Sequence, residues 1–558
     1  MSPVPPFRHK RPFFLIGILL WTTMGLCLYP ALFPDREVFA SGVEFDTSQP
    51  VLGDYAGEIR EPFPRADGLH HLDTPRMIEK LHRLGVNTYF YLIWHQRSDW
   101  DDLRREFLPA AKKEGIDVWV YLVPPSEARG KASEPYGTDF IAWFRAIGRL
   151  SRSFDNLKGV VIDDFNHNLS FFTPAYVKRM RKSGHSANPE LRFYPQIYYP
   201  SIRAGLIHRY RPFIDGVVMT FRDGKYRNTH RTHDLEQQIE RVHNLLRPEK
   251  LPFILMIHAS KLSATPANPS VPYVKKSLQT GIDRLHRGHI QGLVTYVLQK
   301  EWFPEKKDRS AYAGYGYGSL FISPGTGPPS GGNGEIKQII RPEKNETYRL
   351  AFSHFDVYPH SLSKGEYVKQ LLIDGRIVWE RDVKARQPER WYREQVNLTD
   401  HLKGKKEAVL TLRLLRKKNR SKAWLYTGFD HLEPRGFRLT DPGFELNRGW
   451  FYLTSHPSVI GDTIMFDPQR RLRVYLTAMT LFTSYDLYRE IQQVHPAWKK
   501  TADRALTGVI EEERETAKAA LEELVQKLIN HRNLSPDRRK ALLNQCRKLD
   551  HLLTIQLT

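Results

Sequence analysis

The sequence predicts a closed (β/α)8 barrel, then a β-sandwich, then a C-terminal helical region. Three observations lead there. Between residues 45 and 320 short apolar runs alternate with amphipathic stretches. From about 335 to 437 the hydrophobic period becomes two, with no long helical pattern inside it. Beyond about 440 the pattern becomes mixed and then helical. A chain of 558 residues has room for roughly three or four domains. With 41% hydrophobic and 26% charged residues it is neither collagenous, nor low-complexity, nor wholly disordered.

The chain opens on Arg8, His9, Lys10 and Arg11, followed by an uncharged stretch from Pro12 to Pro34 that is long enough to span a bilayer. The same layout serves a secretory signal, and Val38-Phe39-Ala40 offers a small-residue cleavage site. Residues 1–40 are expected to be a signal peptide or an N-terminal membrane anchor. Either one exports the remainder to a periplasmic, extracellular or outward-facing position. Cys27 follows Leu26, a bulkier residue than a lipoprotein signal uses. Cys27 and Cys546 are the only cysteines, too few for a disulfide framework or a four-cysteine metal site.

Residues 45–320 supply the barrel. The apolar runs are 50–55, 86–94, 117–123, 159–163, 193–199, 216–221, 252–258 and 292–298, rich in Val, Ile, Tyr and Phe as strands are. Between them lie candidate helices. Thr74–Leu84 places Met77, Ile78, Leu81 and Leu84 on one helical face, with Asp73 or Thr74 as cap and Pro75 in the first turn. Leu235–Leu246 and 273–285 read the same way. Near-continuous apolar strands alternating with helices imply a parallel sheet covered on both faces, and eight units are what a closed barrel needs. An open doubly wound sheet is the alternative, but no glycine-rich phosphate loop follows the first strand.

Residues 312–334 are rich in Gly, Tyr and Pro, and 321–334 are expected to be a linker. Residues 335–440 form the expected sandwich. Gln370–Ile373, Asp374-Gly375 and Arg376–Trp379 spell strand, tight turn, strand. Further strands are expected at 348–352, 408–414 and 424–429. Residues 441–558 are mixed and then helical, with Ala519, Leu521, Leu524, Val525 and Leu528 near helical spacing.

Reactive groups of a barrel sit where its strands end. The fourth run ends in Asp163-Asp164, two carboxylates at the end of an apolar strand, where burial is costly unless the charge is paired or used. The sixth ends in Arg222-Asp223, the second in Trp94-His95 and the fifth in Tyr198-Tyr199. The seventh ends in His258, the eighth continues to Glu301-Trp302, and the first is followed by Glu58. Carboxylates, aromatics and histidine at one end suit glycosidic cleavage. That reaction needs one carboxyl as proton donor and another as nucleophile or base. Aromatic rings stack on the apolar faces of sugars. Asp163 with Asp223 is the expected pair, and Asp164 tunes it, binds hydroxyls or caps the following turn. Arg222 binds substrate or pairs with a carboxylate. Trp94, His95, Tyr198, Tyr199, His258, Glu301, Trp302 and Glu58 are the expected substrate contacts.

At these residues a family resemblance appears. Residues 45–320 resemble barrel glycoside hydrolases, and Lys158-Gly159-Val160-Val161-Ile162-Asp163-Asp164-Phe165 is similar to the fourth strand of family-18 chitinases. Met219-Thr220-Phe221 is similar to their sixth. The resemblance implies O-glycosyl bond hydrolysis. Aligning Asp163 with the last Asp of the chitinase pattern puts Phe165 where the family has its acidic Glu. Other barrel hydrolases use an Asp on the fourth strand as nucleophile and an Asp on the sixth as acid. Val396-Asn397-Leu398-Thr399-Asp400, ahead of Leu402-Lys403-Gly404 and the strand at 408–414, resembles the edges of jelly-roll carbohydrate-binding modules.

No cofactor or metal is expected: His70-His71 and His230-Arg231-Thr232-His233 lack a metal-site pattern, and no nucleophile elbow or phosphate loop occurs. Asn168, Asn345 and Asn397 head glycosylation sequons. The formal charge of +22 points to anionic partners. Export and the lack of any nucleic-acid motif turn that toward an acidic or amino-sugar polysaccharide, or an anionic membrane surface, rather than nucleic acid. Membrane contact is otherwise expected only through the N-terminal segment. The expected activity is that of an exported glycoside hydrolase with an appended sugar-binding module. The alternative is a non-catalytic polysaccharide-binding or envelope assembly protein on the same scaffold.

Overall fold

The barrel begins at β1 (Val51–Tyr55) and α1 (Thr74–Leu84), followed by β2 (Thr88–Ile93). A π-helical turn, Leu103–Phe107, joins α2 (Asp99–Asp102) to α3 (Leu108–Lys113). Then come β3 (Asp117–Leu122), α4 (Phe140–Ser153), β4 (Leu157–Ile162), α5 (Pro174–Ala187) and β5 (Arg192–Tyr198). The last units are α6 (Ala204–Tyr210), β6 (Val217–Thr220), α7 (Leu235–Leu246), β7 (Phe253–His258), α8 (Val271–His286) and β8 (Gly292–Tyr296). All eight strands pair in parallel, and β8 pairs with β1 to close the ring. The computed structural model describes residues 49–127, 133–222, 231–260, 268–301, 311–322, 327–344, 347–418, 423–446, 448–467, 469–531 and 533–555. The expected signal or anchor, residues 1–40, lies outside them. No helix among the described residues is long and apolar enough to cross a membrane.

Helix α1 shows how local sequence sets an element. The Asp73 side chain accepts the Arg76 N–H at 3.1 Å, Pro75 sits in the first turn, and Gly85 ends the helix in the left-handed region. Met77, Ile78, Leu81 and Leu84 are its buried stripe. Inside the barrel, large rings of one strand lie where the next strand has glycine. A Cβ on Gly159 would meet the Trp119 ring at 2.5 Å, and one on Gly216 would meet the Tyr194 ring at 2.4 Å. The lower interior is therefore filled by closely packed aromatics, with the Trp119 and Tyr194 rings tilted against each other, centroids 4.7 Å apart.

Where β8 meets β1, the Lys300 side chain is wholly buried and pairs with the equally buried Asp54 carboxylate. Its Nζ also donates to the carbonyls of Ala56 (2.9 Å), Gly57 (3.1 Å) and Leu298 (3.1 Å). Asp54 accepts from the Thr295 hydroxyl at 2.6 Å. Ala56 and Val297, the residues just beyond the two strands, both have positive φ, a costly state for a β-branched residue. The buried ammonium holds both turns.

The sandwich starts earlier and ends later than its sequence pattern suggests. β9 (Gly316–Ile322) is a fully buried strand between two partners, within and just before the segment expected to link the domains. Its glycines serve close approach rather than flexibility: a Cβ on Gly316 would lie 2.1 Å from the Phe444 carbonyl oxygen. After it come β10 (Asn333–Pro342), β11 (Arg349–Val357), β12 (Tyr367–Ile373), β13 (Arg376–Asp382) and β14 (Tyr392–Asn397). A one-turn α9 (Thr399–Leu402) leads to β15 (Ala408–Arg416), β16 (Leu425–Arg435), β17 (Phe437–Arg438), β18 (Phe451–Thr454) and β19 (Val459–Met465). One sheet has the order β13-β12-β15-β10-β17 with β18 on β10, the other β14-β11-β16-β9-β19. The sandwich thus reaches from 316 to 465, and 451–465, expected in the mixed C-terminal region, supply two of its strands.

The tail consists of α10 (Arg470–Val494), α11 (Lys499–Ile510), α12 (Arg514–Asn530) and α13 (Pro536–Ile555). Helix α10 packs on both α8 and α1, in the place of the outer-layer helix that should follow β8. Tyr475 of α10 donates its hydroxyl to the Lys80 carbonyl at 2.9 Å, and Tyr488 stands edge-on to His286 at 4.7 Å. Val474, Ala478, Leu481, Phe482 and Ile491 join the barrel's outer core. The sandwich is thus inserted between the eighth strand and its covering helix.

Two outcomes follow from this packing. A chain ending at residue 469 leaves α1 and α8 uncovered, so it is expected to aggregate, read by analytical ultracentrifugation. Lys300→Met strands the Asp54 carboxylate, and urea titration is expected to show a loss of about 3–5 kcal/mol of unfolding free energy.

Candidate active site

Side chains of a barrel strand alternate inward and outward, and the inward ones at the C-terminal ends line the mouth. Tyr55, Tyr121, Asp163, Tyr198, Arg222, His258 and Tyr296 meet there. Tyr121 donates its hydroxyl to Asp163 Oδ1 at 3.0 Å. The Tyr55 ring packs tilted against Tyr121 at 4.1 Å and Tyr296 at 5.1 Å, and Tyr296 packs tilted against His258 at 4.5 Å. The Arg222 guanidinium lies 3.5 Å from the Tyr198 ring centroid, a cation–π pair.

Asp163 and Asp164 differ in environment. Asp164 turns into the left-handed region, φ 42°. Its N–H donates to Asp163 Oδ1 at 2.9 Å and to Gln196 Oε1 at 2.8 Å. Gln196 is itself held by a bond from its amide to the Thr220 hydroxyl at 2.8 Å. Burial, then the charges of Asp164 and Glu127, push the Asp163 carboxyl up to about 8, against the pull of the Tyr121 hydroxyl. Burial also works against ionisation of Asp164. His167, at 3.3 Å from Oδ2, together with the Tyr198 hydroxyl and Arg222, outweighs it and holds that carboxyl below its usual value. The two environments thus push the coupled carboxyls in opposite directions, Asp163 up and Asp164 down. Among the described residues neither ring nitrogen of His258 has a hydrogen-bond partner; burial, then Arg222, lowers its pKa well below the usual value.

Glu127 is a third carboxylate at this site, and sequence reasoning missed it. It follows β3 in a segment tied down by Asn168. The Asn168 amide donates to the Ser126 hydroxyl and to the Asp164 carbonyl, both at 3.0 Å, and its oxygen accepts the Ser126 N–H at 3.1 Å. Burial and the Asp164 charge raise the Glu127 pKa. The same bonds commit Asn168, a buried residue, so this sequon carries no free amide.

Among solved structures the chain is similar to several glycosidases. No family model matches the sequence, and no curated protein matches it. A calcium-binding mutant of Bacteroides uniformis beta-glucuronidase 2 is 10% identical over 68% of this chain and 64% of that one, TM-score 0.37. This chain thus spans less than two thirds of that enzyme's length. A GH18 chitinase from Pseudoalteromonas aurantia is 11% identical over 44% of this chain and 93% of that one, TM-score 0.29. A glucosidase from Croceicoccus marinus is 8% identical over 66% and 96%, TM-score 0.33.

The remaining expected contacts are distributed more widely. Trp94 packs at the top of the barrel interior. His95 lies 3.3 Å from Glu58, whose carboxyl burial would raise but His95 holds low. Tyr199 turns outward instead: its ring packs in the outer core and its hydroxyl accepts from Arg241 at 3.1 Å. Glu301 pairs with Arg76 of α1. Asp223 and Trp302 lie outside the described residues. His71 is held between Asp102 (2.6 Å) and Asp67 (2.8 Å). Among the described residues no group of His, Cys, Asp and Glu is arranged to hold a metal ion.

The raised Asp163 carboxyl has a signed consequence for stability. The folded state holds this proton more tightly than the unfolded chain does, so its contribution falls as pH rises from 3.8 to about 8. Asp163→Asn removes that loss. The melting temperature of the variant is expected to gain on the parent's across this window and to level off above it. A constant difference from pH 4 to pH 9 contradicts the assignment.

Proposed function

We propose that the barrel hydrolyses O-glycosyl bonds of a cell-surface or extracellular polysaccharide, with Asp163 as proton donor. The reading is carried by geometry: the Asp163 carboxyl is buried, accepts from the Tyr121 hydroxyl and the Asp164 N–H, and lies beside Asp164 in a mouth walled by Tyr55, Tyr121, Tyr198 and Tyr296, where burial and like charge push it up to about 8. A carboxyl holding its proton at neutral pH can donate it to the leaving oxygen as the bond breaks. Asp164, whose ionised form His167 and Arg222 favour, offsets positive charge growing on the sugar ring. Asp223, one residue past Arg222, is the candidate nucleophile or base. The tyrosine faces suit the apolar faces of pyranose rings, and Arg222 suits a carboxylate or hydroxyl of the substrate. The basic and then uncharged N-terminal segment supports an exported setting.

A second reading, a non-catalytic polysaccharide-binding protein, draws on Phe165. It stands where chitinase-type barrels have their acid, and it is fully buried, stacked on Phe172 at 5.1 Å.

Reducing-sugar release is to be measured on neutral, uronic-acid and amino-sugar polymers. Asp163→Asn is expected to lower kcat by about 10²- to 10⁴-fold, and activity of the parent is expected to fall above about pH 8. Unchanged release by the variant removes Asp163 from the chemistry. Binding without release from any polymer selects the second reading.

A further inference from the structure

On the flank of the barrel, away from the mouth, helices α4 and α5 bring five cations together. Arg145, Arg149 and Arg152 are spaced four and three residues apart, so they share one face of α4. Arg179 and Lys182 take the matching face of α5. All five are exposed. Among the described residues none has a carboxylate within ion-pair distance. Arg181, on the inner face of α5, is buried against Asp215.

The two rows stand close because the helices do. A Cβ on Gly148 would lie 2.6 Å from the Gly184 carbonyl oxygen and 3.0 Å from the Ala187 Cβ. This backbone contact leaves a furrow of about 530 Å³ floored by small residues, Ser183, Ser186 and Ala187, with the cations along its rims. A second furrow of about 780 Å³ runs along the other side of α4 and shares Arg145 and Arg149 with the first. Its wall holds Trp100 and Tyr136. Both rings stand edge-on to the buried Trp143, at 5.3 and 5.0 Å. Trp143 is pinned by its indole N–H to the Gly137 carbonyl at 3.0 Å. Tyr136 is 37% exposed. The acid nearest this wall, Asp101, is already paired with Arg104 and Arg105.

We propose that this double furrow is a docking site for a strand of acidic polysaccharide, separate from the mouth. Guanidinium forks take carboxylates bidentately, and four of the five cations are arginines. Held aromatic faces next to those forks suit the ring of a uronic acid whose carboxylate reaches Arg145 or Arg149. Two rims around a trough fit a strand better than a plane. Among the described residues Tyr136 is the only large apolar side chain exposed at the furrows, so no apolar cluster is on hand to enter a bilayer. The site concerns which polymer is held. It stands whether or not the mouth cleaves it.

The test is binding by the full chain, with no catalytic readout. The probes are polygalacturonate, neutral hydroxyethyl cellulose and phosphatidylglycerol vesicles. Polygalacturonate is expected to bind, to weaken steadily with added NaCl, and to far exceed hydroxyethyl cellulose. The triple variant R145E/R149E/R179E is expected to lose about tenfold or more in affinity with an unchanged circular-dichroism melt. Tyr136→Ala is expected to lose a few-fold through stacking without any change in salt dependence. Equal binding by the triple variant and the parent overturns the proposal. So does equal affinity for the neutral polymer, or binding to vesicles alone. Loss of hydrolysis at the mouth with this binding intact counts against the proposed reaction only.

Discussion

A single buried ammonium holds the seam on which this architecture turns. Lys300 sits between the first and last strands of the barrel, paired with Asp54 and bonded to three main-chain carbonyls. Burying a charge this completely is unfavourable unless all its donors are used. Here they are used to fix two backbone turns in a conformation that neither Ala56 nor Val297 would adopt unaided. The first turn sets Tyr55 and Glu58 at the mouth. The second directs the chain out of the barrel and toward the sandwich. The cost of one desolvated ion is thereby exchanged for the geometry of the site and for the exit of the chain.

The mouth itself relies on unequal treatment of adjacent carboxyls. Asp163 and Asp164 are neighbours in sequence, yet the left-handed turn at Asp164 separates their surroundings. One carboxyl faces the Tyr121 hydroxyl and other acids, the other faces His167, the Tyr198 hydroxyl and Arg222. Gln196 and Thr220, both fully or nearly fully buried, form the small relay that keeps this turn in place. The geometry of the carboxyl pair thus depends on polar residues one strand away.

Much of the barrel could be read from the amino acids because each strand is a short apolar run and each helix carries its own stripe and cap, as Asp73 and Met77–Leu84 show. The acid at the end of the fourth strand was legible for the same reason: charge there stands out against Val160, Val161 and Ile162. The tyrosine wall was not, because Tyr55 and Tyr121 lie within strands, and only the inward alternation of a closed barrel turns them toward the mouth. Tyr199 failed conversely, being one residue beyond Tyr198 and so on the opposite face. Glu127 sits in a loop with no periodicity, placed by Asn168 from across the sheet. The strand at Gly316–Ile322 reads as flexible because glycine absence of bulk looks the same in a linker and in a tightly packed sheet.

The insertion of the sandwich ahead of α10 has a consequence for the order of synthesis. A ribosome that has released all eight barrel strands has not yet made the helix that covers the gap between α8 and α1. The nascent barrel must keep an oily flank open while the 173 residues between Tyr296 and Arg470 are translated, or remain unfolded until then. If the N-terminal segment directs the chain through a translocon, such a delay is an asset, since a barrel that cannot finish early stays threadable.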